Sequence, residues 1–444
     1  MNTHTNLKER LSYGGFFVGQ NIIYILVIQY LMLFYTDTVG LPVALVGTLF
    51  LVTKVWDAIN DPIMGVIVDR VHFKGGKFKP WINFSGIMLP VVTFLMFLDP
   101  GNTTVVKVGY AFLTYILWDT MYTISDIPIF ALSTAMTDNV QERVRILSIG
   151  RLAAGLAALI ASVLTMPLVT KMGWGKAVCL LCFISLIVML PIRFFAKERF
   201  KVADEKSSEV GFKQMFQALL RNKYLLTFYA AFFFSSVFAV GGAVSSYFAI
   251  YALGNKNLIS VLALCGVLPA LVIPIVLPGL INKFGKRNIL LVSSGSYVAF
   301  CILYYFVGYS SLPVVFLFTA LNGMMMQVPR MMAGMVTSDC VEYGAYTTGQ
   351  RIEGIAFAMQ TFANKLSGAF ASSVASFMLA YIGYVPNVEQ SEQTIRGIWN
   401  MVTLIPPIGY AFMFLIILFF YKLSDAEVQS MTNENNQKMR KEGV

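Results

Sequence analysis

The sequence predicts an all-α membrane protein with twelve transmembrane helices in two six-helix bundles, and three observations lead there. The 444 residues are 57% hydrophobic and only 13% charged, where soluble globular chains carry about 25% charged residues. Apolar stretches repeatedly exceed the roughly 18 residues that mark a membrane-spanning helix. They are continuous rather than alternating, which excludes a transmembrane β-barrel. Basic residues, third, gather in every second connection between these stretches.

Taken in order, the apolar runs place spans near 11–36, 41–68, 81–98, 108–136, 146–170, 177–196, 225–252, 258–281, 289–308, 312–338, 353–384 and 398–422. The start, MNTHTNLKERLSYGG, lacks the short apolar region and small-residue cleavage site of a signal peptide, so the first span is expected to stay as a true transmembrane helix. Basic clusters then appear at Lys8 and Arg10, from Arg70 to Lys79, at Arg143 and Arg145, from Lys197 to Lys223, from Lys283 to Arg287, and in the C-terminal tail. By the positive-inside rule both termini are cytoplasmic, which requires an even number of spans. The formal net charge of +10 thus belongs to loops and orients the chain in a plasma membrane; it does not imply nucleic-acid binding.

The connection AKERFKVADEKSSEVGFKQMFQALLRNKY is long and charged and falls near the middle of the chain. The expected division is an N-terminal bundle over 1–196, a cytoplasmic middle loop over 197–224, a C-terminal bundle over 225–423 and a cytoplasmic tail over 424–444. VDRVHFKGGKFKPW after the second span and LINKFGKRNIL after the eighth each combine glycine with a basic cluster in a short turn, as a duplicated six-helix unit would.

The chemistry-bearing residues point to ion and solute handling rather than catalysis. Cys179, Cys182, Cys265, Cys301 and Cys340 lie in or at the ends of apolar spans, and His4 and His72 lie outside them, so no nucleophile and base pair is evident at membrane depth. In WDAINDP, by contrast, Lys54, Asp57 and Asp61 fall on one narrow arc of a helix, Asn60 lies beside it, and Pro62 removes a backbone donor. A charged residue at the centre of a span costs about 2.5 to 3.5 kcal/mol on insertion scales, so such a group needs a reason. Its hard oxygen ligands suit an alkali cation. In WDTMYTISDIP, Asp119 and Asp126 share a helix face with Tyr122 and Thr123 close by, and Arg151 and Lys365 are the expected counterions. Counting Lys54, Asp57, Asp61, Asp119, Asp126, Arg151 and Lys365, three cations face four anions, and one bound cation would neutralise the set. Two other readings stay open: structural ion pairs that fix packing, and proton coupling, since close, buried carboxylates raise one another's pKa.

At these residues the chain resembles the glycoside-pentoside-hexuronide/cation symporters, a branch of the major facilitator superfamily. The resemblance runs over nearly the whole chain: LSYG and YTDTVGL, WDAINDPIMGVIVDR with GGKFKPW, TYILWDTMYTISDIP, DCVEYGAYTTGQRIEGIAF and IGYVPNVEQS. It implies two pseudo-symmetric six-helix bundles, alternating access, and sugar uptake driven by sodium, lithium or protons, with no cofactor and no metal beyond the sodium site. The family's cation site falls on Asp57, Asn60, Asp61 and Thr123, and its sugar site on Tyr122, Asp126, Arg151, Gln360, Thr361 and Lys365. The partners implied are a small sugar, a monovalent cation and the bilayer, for a chain expected to act as a monomer.

Departures from the family pattern bear on the substrate. Where a galactoside carrier of the family has a lysine and an aspartate in the first span, this chain has Gln20 and Asn21; an aromatic platform is reduced to Phe130, a second aromatic position is Arg330, and Asp119 replaces a glycine. Losing a carboxylate and gaining a guanidinium favours an acidic sugar, because guanidinium binds carboxylates and sulfonates with two parallel hydrogen bonds. The alternative is that Arg330 pairs with Asp119. A gating set is expected at Asp69 and Arg70 in the turn after the second span, and at Asp339, Glu342 and Arg351 in the corresponding turn of the second half. Two other functions compete with sugar symport: a non-transporting sugar sensor, which would not need the cation set, and a lysolipid/cation symporter, for whose acyl chain this polar cavity is poorly suited.

Overall fold

A computed structural model describes residues 5–71, 73, 75–101, 103–137, 139–200, 220–349 and 353–442, and the regular structure among them is helical, with one isolated bridge between Phe73 and Gly76. The expected spans become α1 (Leu7–Thr38), α2 (Val43–Arg70), α3 (Lys79–Met96), α4 (Thr104–Met136), α5 (Val140–Met172), α6 (Trp174–Phe195), α7 (Lys223–Ala252), α8 (Leu258–Phe284), α9 (Lys286–Val307), α10 (Leu312–Thr348), α11 (Glu353–Tyr381) and α12 (Glu392–Phe419). A further helix, α13 (Asp425–Glu442), occupies the tail. Nine of these helices are long and apolar enough to cross a membrane by length and composition. The remaining spans are α3, α4 and α11, and α4 and α11 carry candidate site residues.

Local chemistry sets the helix starts. Asn6 and Glu9 form a capping box at α1, each side chain accepting from the other's backbone N–H. Asn139 caps α5 and Ser391 caps α12 with one bond each, the side chain accepting from the N–H of Glu142 and of Thr394. The faces are set by solvent: on α2, Val52, Val55, Ile59 and Ile63 are about half exposed, while Thr53, Asp57, Asn60, Met64 and Val68 are buried on the opposite side of the helix. An exposed stripe of β-branched apolar residues is unfavourable in water and suits lipid.

The paired turns noted in the sequence share a device. Glu198, just after α6, accepts hydrogen bonds from the N–H groups of Lys77, Phe78 and Lys79 at 2.7, 2.9 and 2.7 Å, closing the N-terminus of α3 with a carboxylate. Asp425, just after α12, accepts from Lys286 N–H at 2.9 Å at the start of α9. A glycine makes room each time: Gly76 (φ +119°) and Gly285 (φ +79°), where an added Cβ would lie 2.7 Å from Glu198 Oε1 and 3.0 Å from Asp425 Oδ2.

Contacts divide the chain into two compact units, one comprising 1–206, 249–263 and 383–390, the other 207–248, 264–382 and 391–444. The first contains α1 to α6, with α1 packed on α5 and α6, α3 on α4, and α2 on α4. In the second, α7 packs on α12 and α11, and α9 on α10 and α12. Of the expected middle loop, residues 201–219 lie outside the described residues.

Three boundaries need correction, the first being the start of the fifth helix, which lies at Val140 rather than 146. The tenth helix does not stop at 338 but continues to Thr348, so Asp339 and Glu342 are helical residues and not part of a turn. A helix leaving lipid keeps its own backbone hydrogen bonds, and here α13 packs along the extension: Asn435 Nδ2 donates to the Glu342 carbonyl and to Glu342 Oε2, both at 3.1 Å. The twelfth begins at Glu392 rather than 398 and breaks near Leu404, just before Pro406 and Pro407, which lack a backbone donor.

Candidate cation and sugar site

The acidic cluster of α2 faces α4. Lys54 Nζ donates to Asp57 Oδ2 at 3.3 Å and lies 3.9 Å from Asp119 Oδ1, the three side chains being 17%, 5% and 4% exposed. One turn further, Asp61 Oδ1 accepts from Thr123 Oγ1 at 2.9 Å. Asn60 is buried on the same side of α2, its Nδ2 without a hydrogen-bond partner among the described residues. Asp57, Asn60, Asp61 and Thr123 together offer carboxylate, amide and hydroxyl oxygens and no soft ligand, a set suited to a small monovalent cation or a proton. The ammonium nearest Asp57 and Asp119 is Lys54, which reaches Asp57 along its own helix, three residues on, and Asp119 across to α4.

The residues expected to meet a sugar fall into distinct settings. Gln20 is buried and donates from Nε2 to Ser125 Oγ at 2.9 Å and to Asp126 Oδ1 at 3.1 Å, so it ties α1 to α4 and orients Asp126. Asn21 turns back on its own helix, Nδ2 donating to Phe17 O at 2.9 Å. The Tyr122 ring stacks on Trp118 with centroids 5.2 Å apart and meets Tyr24 at 5.4 Å. Phe130 is exposed and meets Phe17 edge-on at 5.3 Å. Arg151 stands exposed on α5. In the second unit Arg330 is exposed near the middle of the 37-residue α10. Gln360 Oε1 accepts from Thr337 Oγ1 at 2.8 Å, while the Thr361 hydroxyl donates to its own helix at Phe357 O, 3.1 Å away. The side chain of Lys365 lies outside the described residues.

Of the expected gating residues, Asp339 accepts two bonds from Lys286 Nζ, 2.7 Å to Oδ1 and 2.6 Å to Oδ2. Lys286 also lies 3.6 Å from Asp425 of α13. Arg351 and the side chains of Asp69 and Arg70 lie outside the described residues.

Several contributors escaped the sequence reading. Tyr24 of α1 meets the Tyr122 ring of α4, which stacks on Trp118 of its own helix; the Tyr24 contact runs between helices, and spacing along one helix does not reveal it. Two stretches quoted only as motifs, YTDTVGL and IGYVPNVEQS, converge: Asp37 accepts from Tyr251 Oη and Tyr384 Oη, each at 2.6 Å, and from Thr36 Oγ1 at 2.6 Å, while Asn387 Nδ2 donates to the Asp37 carbonyl. Asp37 and Tyr251 both sit in π-helical turns, at 34–38 and 248–252.

The chain matches the family model described as MFS/sugar transport protein over residues 12–425. The protein is a glycoside-pentoside-hexuronide symporter of the major facilitator superfamily. This symporter is 29% identical to the isoprimeverose transporter of Lactiplantibacillus pentosus, over 97% of its own chain and 92% of the relative's. It is likewise 29% identical to the glucuronide carrier protein homolog of Escherichia coli (strain K12), over 100% and 98%. Its fold is similar to that in the crystal structure of nucleoside transporter NupG, with a TM-score of 0.70 at 12% identity, over 94% of this chain and all of the other. The symporter is therefore an integral membrane protein and a secondary sugar transporter, not an enzyme.

Proposed function

We propose that the symporter carries an acidic sugar, a hexuronide or sulfonated glycoside, inward together with sodium or a proton by alternating access, with both termini in the cytoplasm of a plasma-membrane monomer. The observation that carries the substrate reading is Arg330, a guanidinium exposed near the middle of a long span. Charge at that depth is expensive in lipid, so it asks for water and an anion. A relative named as a glucuronide carrier protein homolog supports an acidic substrate. Asp119 has Lys54 as a cationic neighbour, which weakens the alternative that Arg330 exists to neutralise it. Coupling is assigned to Asp57, Asn60, Asp61 and Thr123, and sugar contact to Tyr122, Asp126, Arg151, Arg330, Gln360 and Lys365.

A neutral glycoside is the second reading, favoured by the isoprimeverose transporter at equal identity. Uptake of radiolabelled neutral and acidic sugars into proteoliposomes, under imposed sodium or proton gradients, separates the two. Arg330→Gln should lower uptake of the acidic sugar roughly tenfold to hundredfold, the worth of a charged hydrogen-bond pair, and spare neutral analogues. Equal loss for both classes would remove the acidic-sugar reading. Absence of accumulation and counterflow across the whole panel would bring the sensor or the lysolipid carrier forward.

A further inference from the structure

The Asp57 carboxylate assigned to the coupling ion is in contact with a cation that belongs to the protein. Lys54 Nζ is 3.3 Å from Asp57 Oδ2 and 3.9 Å from Asp119 Oδ1, between two carboxylates that are each almost fully buried. An alkali ion or proton arriving at Asp57 meets this ammonium on the same oxygens. Two like charges a few ångströms apart repel strongly where little water screens them. A buried ammonium, in turn, is costly once it loses its carboxylate. The incoming ion and Lys54 therefore compete, and Lys54 needs a second carboxylate within reach of its flexible stem. Asp119, across on α4, is that group.

We propose that Lys54 is a built-in substitute for the coupling cation and that Asp119 is its alternate seat, so that exchange of the ammonium between Asp57 and Asp119 sets the affinity for the ion. With no ion bound, Lys54 sits on Asp57 and the emptied carrier keeps a compensated carboxylate. As the ion enters, the ammonium moves to Asp119. Lys54 and Asp119 are positioning residues that touch neither sugar nor, in the loaded state, the ion. The inference rests on the reading of Asp57 and its neighbours as the cation site and adds to it what governs that site's affinity.

The test reads ion binding on the purified full-length carrier without a sugar, by calorimetric titration with NaCl and LiCl and by proton uptake followed with an indicator dye. Asp119→Asn should weaken ion binding roughly tenfold or more, because Lys54 is then confined to Asp57. In a Lys54→Gln background the same Asp119→Asn change should alter affinity less than about twofold, a non-additive pair. Asp119→Glu, which restores the seat, should return affinity to near that of the parent, an outcome that a loss of folding would not produce. An equal effect of Asp119→Asn with and without Lys54 would overturn the exchange and leave only a general field from the carboxylate. Asp57→Asn distinguishes the two levels: if it abolishes ion binding while the Lys54 and Asp119 effects add, the cation site stands and the exchange fails; if it leaves ion binding unchanged, the cation-site reading itself fails.

Discussion

Single hydroxyl and amide groups carry much of the site's order. Thr123 donates to Asp61 at 2.9 Å from a side chain that is 2% exposed. A hydrogen bond to a charged group is worth about 1.5–3 kcal/mol. Thr123→Val keeps the shape and removes the hydroxyl, so cation affinity should fall roughly tenfold to hundredfold, as read by ion titration. Thr123→Ser should retain most of it. Gln20 has a different place: it holds Asp126 through Nε2 and is nearly fully buried. Gln20→Leu should therefore reduce sugar transport through a misplaced Asp126 while leaving ion binding close to that of the parent; loss of both together would mark Gln20 as part of the packing of α1 on α4.

At the scale of helices and turns, the glycine-basic stretches serve as receptors for carboxylates that return from a distant point of the chain. A Cβ at position 76 would lie 2.7 to 2.9 Å from the Glu198 carboxylate, and the residue adopts φ +119°. Gly76→Ala should destabilise the fold by about 1–3 kcal/mol, the range for a strained backbone position, and lower the melting temperature in detergent. Glu198→Gln keeps an acceptor and should cost less. The tail helix has its own control: Ser424 N–H and Oγ donate to Glu427 Oε2, both at 2.8 Å, and these bonds hold the Glu427 carboxyl below its ordinary range. Since its folded pKa is depressed, the support given to α13 is present above the unfolded value of about 4.3 and is lost as pH falls through the folded value. Protection of the amides in 425–442, taken relative to the intrinsic exchange rate at each pH, should fall on acidification and stay constant in the neutral range.

For the molecule as a whole, the alternating access proposed above calls for contacts strong enough to hold and weak enough to release. The convergence on Asp37 lies within the first unit and gathers α1 with two segments from late in the sequence, 249–263 and 383–390. Each tyrosine donates to a carboxylate, a bond worth about 1.5–3 kcal/mol. Tyr251→Phe combined with Tyr384→Phe should raise hydrogen–deuterium exchange in 383–390 and leave exchange in α9 and α10 unchanged. No change in 383–390 would show that the loop is held by other contacts.

The sequence by itself determined the solvent, the all-helical class and the polar face of α2. Continuous apolar runs leave lipid as the only favourable surroundings, and a 100° helical step places Lys54, Asp57 and Asp61 together without any tertiary information. It also singled out the stretches that matter most, including two whose use it did not show. Tertiary structure decided which groups meet across helices: Lys54 between Asp57 and Asp119, Gln20 on Asp126, Tyr24 beside Tyr122, Asp37 among Tyr251, Tyr384 and Thr36. Periodicity fixes directions around one helix axis, whereas the rotation and depth of one helix against another follow from packing between side chains far apart in sequence. The same reason explains why Asp339 was read as lying in a turn: α10 continues beyond the apolar run because Lys286 and α13 supply it with partners that no local pattern announces.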